Sequence, residues 1–342
     1  MNYPYQRRLL AGMCAVMAFV AWPHTPAFAQ EADSDIDALR RAALSEISTE
    51  KVVSEETVGD ADQEQERQVD DRMNFFAMQI CLIAVVLILH TYTGMHIIRR
   101  GIIFCDLVLD QLAAFGIVVG IAIGVRYGTP ASYMMAMAAT FVGCILLAVI
   151  RPKNRLIPNE AVIGIMYGMA LVACLLLADK LPTGGTDLKN TLVGSMSWVS
   201  WPLVGTTAGI YSLLLLFHYM FRRRIIHITE LDKDVPHRAG WDFLFFLSQG
   251  IITILIVPVA GVLLAYGFLM IPAAIGVMFT HRWKAGLLLG WSSGMVACVL
   301  GLFFSYRTDS PYGPSLMLAM GLFFLVALFI RGLLPVAKGG AS

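Results

Sequence analysis

An all-α, polytopic membrane protein with about nine transmembrane helices is the fold class this sequence predicts, and three observations carry the prediction. Of 342 residues, 14% are charged and 58% apolar, whereas a soluble domain carries about a quarter charged residues. From Asn74 onward, apolar runs of spanning length alternate with short polar breaks. Threaded from an outer start, the runs put fourteen Lys and Arg on the inner side and leave four, Arg126, Lys180, Lys189 and Arg307, outside, as the positive-inside rule requires. A net charge of +1, with the bases in short clusters, gives no field that would recruit nucleic acid.

The first element, residues 1–29, has Arg7 and Arg8, an apolar stretch from Leu9 to Trp22, and then Pro23, Pro26 and the small pair Ala27 and Ala29. That order is expected of a signal peptide cleaved after Ala29, and either cleavage or retention as an anchor leaves residues 30–72 outside the cytoplasm. Residues 30–72 hold 14 acids, 5 bases and no aromatic residue. Such a segment buries too little apolar surface to offset the entropy of ordering, so a disordered or loosely helical periplasmic tail is expected.

The membrane domain, 73–334, is expected to span at roughly 74–96, 102–125, 132–150, 159–178, 203–221, 241–257, 260–280, 285–305 and 313–331, with a short cytoplasmic tail at 335–342. The stretch 191–202 is apolar but too short to span, which fits an interfacial or re-entrant piece. Six cysteines lie inside apolar runs without a CxxC pair and are read as packed thiols.

Motifs exclude several chemistries. No lysine is followed by Ser or Thr, so the chain has no P-loop, and HExxH and GxGxxG are absent as well. Energised work by this chain would draw on a partner or an ion gradient.

The unusual intramembrane feature is Asp106 and Asp110, at i and i+4 on one helical face, beginning six residues after Arg99 and Arg100. Each intramembrane acid costs about 2.5–3.5 kcal/mol on insertion scales, so such residues face a bundle interior or a hydrated path. Paired oxygen ligands at that spacing suit a divalent cation. The competing reading makes Asp106 a cap or a partner of an arginine, with Asp110 alone facing a cavity. His90 and His96, six apart, do not share a face, and Glu160 is explained by its place in the first turn of its own helix. His218, His227, His237 and His281 are read as interface residues of helix ends and loops.

The longest inner connection, 222–240, exceeds the usual helix-hairpin length of about 2–8 residues. Thr229 and Asp232 spell a Thr-x-x-Asp capping box and Pro236 a stop. A short amphipathic helix that docks a cytoplasmic partner is the expectation there, with a solvated turn as the plain alternative.

Three stretches together resemble the permease subunits of bacterial metal-ion ABC transporters for zinc, manganese or iron: 96–116 (HIIRRGIIFCDLVLDQLAAFG), 159–168 (NEAVIGIMYG) and 261–274 (GVLLAYGFLMIPAA). The last is the most specific, and 294–306 resembles the penultimate span of that family. The resemblance implies a membrane subunit of an importer, fed by a periplasmic metal-binding protein, paired with a second permease subunit as a homodimer or heterodimer, and driven by a cytoplasmic ABC ATPase that uses the ATP. It implies lipid contact, a multi-pass place in the bacterial inner membrane with the C-terminus inside, no permanently bound cofactor, and a divalent metal ion as the cargo. Asp106, Asp110 and Gln111 are then the expected metal passage, and Thr229, Glu230, Asp232 and Asp234 the expected ATPase-docking residues. Relatives commonly pair an Asp with a His four residues on; here no histidine stands at Asp110 or Gln111, which favours a harder cation such as manganese or iron(II) over zinc.

Two other classes remain at this point. A polytopic, magnesium-dependent prenyltransferase would use Asp106 and Asp110 to hold diphosphate, with Asp232 and Asp234 as the available second acidic motif. A non-catalytic membrane scaffold with a periplasmic tail needs no site at all.

Overall fold

A computed structural model describes residues 57–127, 129–150, 157–182, 184–194, 199–231 and 238–333. The expected signal peptide, the first part of the acidic tail, the C-terminal tail, Asp232, Asp234 and His237 lie outside the described residues. Within them the regular structure is helical: α1 (Thr57–Arg100), α2 (Cys105–Ala122), α3 (Pro130–Val149), α4 (Asn159–Ala178), α5 (Gly184–Val193), α6 (Trp201–Met220), α7 (Arg222–Leu231), α8 (Arg238–Phe279), α9 (Trp283–Thr308) and α10 (Tyr312–Leu333). Eight of these are long and apolar enough to cross a membrane, α5 and α7 being the short ones. Helix α1 begins at Thr57, so the end of the acidic stretch runs on without a break into the first membrane segment.

Helix α8 reconciles eight long helices with nine expected spans. Its 42 residues would extend about 63 Å if straight, roughly twice the apolar thickness of a bilayer. Gly261 breaks it with φ 78° and ψ 161°, a conformation open essentially to glycine alone. Both ends of α8 lie beside the same end of α1: Arg100 donates to Asp242, near the start, and Arg99 donates to the carbonyl of His281, two residues past the finish. The element is therefore a helical hairpin, and its arms, 238–260 and 262–279, are the two separately expected spans. Its turn is wedged between Gly194, which follows α5, and Gly313 at the start of α10, where a Cβ on any of the three would meet neighbouring backbone. The short apolar stretch after 191 thus begins inside the protein, against that turn.

The hairpin is the centre of the domain. Of its most apolar window 78% is buried, against 17% for α10. The largest apolar core joins it to α1, α6, α9 and α10, and a second cluster joins both its arms to the end of α1 and to α2 and α3. The Ile-Pro-Ala-Ala segment has a packing reason: Pro272 projects into α9 where Gly290 and Gly294 leave room, and a Cβ on Gly294 would stand 2.9 Å from the Pro272 ring. One end of the bundle gathers Arg99, Arg100, Arg238, Arg282 and Arg331, the last donating to the carbonyl of Met278. The opposite end carries the Trp201–Asn74 and Arg72–Tyr306 bonds.

Candidate functional site

Helix α2 positions the acidic pair. Its first turns have no cap of their own, and Glu160 of α4 supplies one from outside: its two carboxylate oxygens accept from the backbone N–H of Ile103 and of Phe104, each at 3.1 Å. An acid at that end satisfies otherwise orphaned donors and the helix dipole together. Glu160 therefore serves the neighbouring helix, a role its own sequence position did not show.

Two residues past that cap, Asp106 enters the interior at 2% exposure, followed by Asp110 at 1%. The facing surface is the first arm of α8, which repeats the same spacing: Gln249 donates to Asp106 Oδ1 at 2.7 Å, and Thr253, one turn on, lies beside Asp110. Neither oxygen of Asp110, nor Gln249 Oε1, nor Thr253 Oγ1 closes a hydrogen bond of ordinary geometry. Tyr211 of α6, buried on the same side, lies within electrostatic reach of both carboxylates and leans on His90. The result is a buried, oxygen-rich face with open acceptors. Two carboxylates a turn apart repel while both are ionised, and a divalent cation between them relieves that repulsion with hard oxygen ligands. No group of three or more His, Cys, Asp or Glu arranged to hold a metal occurs among the described residues, so amide, hydroxyl and water oxygens would complete the shell of a cation resting here.

Gln111 does not join this face. Its side chain lies against Cys174 of α4, as a residue one position after Asp110 must, about 100° further around the helix.

The competing reading, in which Asp106 pairs with an arginine, is not met among the described residues. Arg100 donates to Asp242 Oδ1 at 3.1 Å and to Thr229 Oγ1 at 3.0 Å, with its guanidinium over the Phe245 ring at 4.4 Å. Arg99 reaches Glu230 at 3.4 Å and stacks on Trp283, whose indole N–H also donates to Glu230. The capping box is corrected: helix α7 runs Arg222–Leu231, so Thr229 stands in its last turn and not before its first. Thr229 is buried, so it does not face outward, while Glu230 keeps about half its side chain exposed. A second correction concerns His218, expected at an interface: it is fully buried and hydrogen-bonded to Ser248 Oγ at 2.9 Å. His227 and His281 are exposed, as expected.

Gln249, Thr253, Tyr211 and Asp242 escaped the sequence reading. The first two carried a usable signal, a pair of polar residues four apart inside an apolar run, matching Asp106 and Asp110 in register. Residues 290–294 (GWSSG) spell a nucleophile-elbow pattern, but they lie within α9, and the Ser292 hydroxyl donates back to the carbonyl of Leu288. Such an elbow needs a strand-to-helix turn.

Among known proteins, the chain is 25% identical to the manganese transport system membrane protein MntC of Halalkalibacterium halodurans over 67% of its length and 81% of the relative's. It is 24% identical to the chelated iron transport system membrane protein YfeD of Yersinia pestis, over 69% and 82%. Among solved structures it resembles PsaBC from Streptococcus pneumoniae in complex with Fab, with a TM-score of 0.61 and 23% identity over 75% of this chain and 91% of that one, a likeness of fold. Residues 73–331 match the ABC 3 transport family, which takes in every membrane-length helix described above, the hairpin and the acidic pair: the chain belongs to that family and is one of its membrane permeases.

Proposed function

We propose that this chain is the membrane-spanning permease subunit of an ABC importer that moves a divalent metal ion into the cytoplasm. A separate ATPase supplies the energy, a periplasmic binding protein delivers the ion, and a second permease subunit, identical or related, completes the membrane pair. The N-terminal tail faces the periplasm and the C-terminus the cytoplasm, in line with the positive-inside distribution of the basic residues.

The observation that carries the reading is the face shared by α2 and the first arm of α8. Asp106, Asp110, Gln249 and Thr253 bring carboxylate, amide and hydroxyl oxygens together inside the membrane, with acceptors left open. A hard ion such as manganese(II) or iron(II) fits that donor set better than zinc, and relatives named for manganese and for chelated iron support the same cargo class. Gln111, set against Cys174, is outside this donor set. The ATPase docks on α7 and the residues that follow it, by Glu230 together with Asp232 and Asp234, while Thr229 anchors the helix from within. The prenyltransferase reading finds no support in the family match or in the relatives named for transport, and the acidic pair faces Gln249 and Thr253 where that chemistry needs a second acidic motif.

The test is uptake of radioactive manganese by vesicles holding the complete transporter, normalised to folded permease. Asp110→Asn removes one charge and keeps the shape, and about a tenfold or greater fall in uptake is expected; Asp106→Asn should fall at least as far. Wild-type uptake in both variants would remove the acidic pair from the passage.

A further inference from the structure

We propose that Thr229 and His96 are positioning residues that form the joint through which α7 acts on the metal passage; this rests on the reading of α7 as the ATPase-docking helix. Helix α7 presents two faces. Arg222, Arg223 and Arg224 are exposed, whereas Ile225, Ile228 and Thr229 are buried against the end of α1. The two isoleucines give area without direction. Thr229 gives direction, because its hydroxyl donates to the carbonyl of Ile225 at 2.8 Å and accepts from Arg100 Nε at 3.0 Å, with His96 Nδ1 at 2.8 Å. A hydroxyl has one proton, and it goes to Ile225, so the Nδ1 of His96 carries the hydrogen it shares with Thr229. Two side chains of α1, His96 and Arg100, thus close on one atom of α7.

From that atom the contacts lead to the passage by two short routes. Arg100 holds Asp242, at the start of the arm that carries Gln249 and Thr253. His96 lies 4.8 Å from the Tyr92 ring, Tyr92 lies 5.5 Å from His218, and His218 is bonded to Ser248, the residue before the one that holds Asp106. A shift of α7 by about an ångström would break bonds of 2.8–3.0 Å or carry the last turn of α1 and the first arm of α8 along with it. The same histidines do not make a second resting place for a cation. Arg100 lies 4.4 Å from the Phe245 ring and Arg99 lies 4.1 Å from the Trp283 ring, and both rings pack on His96, so two fixed positive charges oppose a metal there.

The test uses the permease purified with its ATPase and reconstituted in lipid vesicles, and reads ATP hydrolysis with and without the manganese-loaded binding protein. Thr229→Val keeps the shape and loses the hydroxyl; Thr229→Ser keeps the hydroxyl. His96→Phe keeps the ring contacts and loses the nitrogen. In Thr229→Val and in His96→Phe the ATPase should stay bound and hydrolyse at its unstimulated rate, while stimulation by the loaded binding protein falls about fivefold or more. Thr229→Ser should restore stimulation, a rescue that a merely space-filling role does not predict. Full stimulation in Thr229→Val or in His96→Phe overturns the joint, as does loss of the ATPase from either variant complex, since the joint acts after docking. Absence of manganese stimulation in the wild-type complex would instead overturn the transport reading beneath it.

Discussion

The basic end of the bundle and its middle both bury charge, and they treat it in opposite ways. At the basic end Arg100 has a carboxylate, a hydroxyl and an aromatic face, and Arg99 has a carboxylate, a carbonyl and an indole. In the middle, Asp106 has one amide and Asp110 a neighbouring hydroxyl, and no ion pair among the described residues includes either acid. A buried charge with a full set of partners fastens elements together. One with open acceptors keeps part of its dehydration cost unless something arrives to offset it, which is the behaviour of a place on a route. The difference can be tested: fastening charges should govern stability, and open ones should govern transport.

The largest expected effect on stability is at the best-fastened pair. Arg100→Met leaves Asp242 buried, with Arg238 at 3.7 Å as a nearby cation. Breaking a buried pair on one side costs about 3–5 kcal/mol, and the nearby Arg238 puts the expectation at about 3 kcal/mol. Thermal unfolding of the detergent-solubilised protein should show a clear drop, while Asp110→Asn should leave the midpoint at or above wild type. Equal midpoints for Arg100→Met and wild type would erase the distinction between the two regions.

Next comes the turn that lets the hairpin reach the basic end twice. Gly261→Ala forces a side chain into φ 78° and into the backbone of Val193 and Gly194. The conformation alone costs about 1–3 kcal/mol, so a loss of about 2 kcal/mol and a lower folded yield are expected. A variant as stable as wild type would mean that the turn is free to rearrange. The hairpin would then be no fixed frame for Gln249 and Thr253.

How much of this could be read in the sequence follows from what each feature costs. The spans were legible because a bilayer demands long apolar runs, and 241–257 and 260–280 were told apart, although the break itself is Gly261, just inside the second of them. Asp106 and Asp110 were legible because an intramembrane acid is expensive, and costly residues stand out. Gln249 and Thr253 are neutral and cost less, so their matching four-residue spacing stands out less than that of the acids, and the packing of α2 on α8 is what brings the two pairs together. The element after 222 was foreseen as a short helix but placed too late. The Thr-x-x-Asp pattern at 229–232 drew the start forward, whereas burial of Ile225, Ile228 and Thr229 at helical spacing sets it. Its place at a helix end made His218 read as an interface residue, although it follows the inward face of α6 with Tyr211 and Leu214.

The smallest effect is expected at Glu160, where the comparison is sharpest because a fastening charge stands next to the open site. Its carboxylate holds the N–H groups of Ile103 and Phe104, immediately before Asp106, so proximity alone would make it part of the passage. Its bonding puts it with the fastenings, since both oxygens accept from backbone N–H groups. Glu160→Gln keeps one acceptor oxygen and loses the charge, and should lower stability by about 1 kcal/mol, the usual worth of a helix cap. Uptake per folded molecule should stay within about twofold of wild type, against the tenfold fall expected for Asp110→Asn. If Glu160→Gln instead cuts uptake as deeply as the aspartate variants and leaves the unfolding midpoint unchanged, hydrogen-bond satisfaction does not separate fastening from passage in this protein. The functional site would then extend along α2 to its capped end.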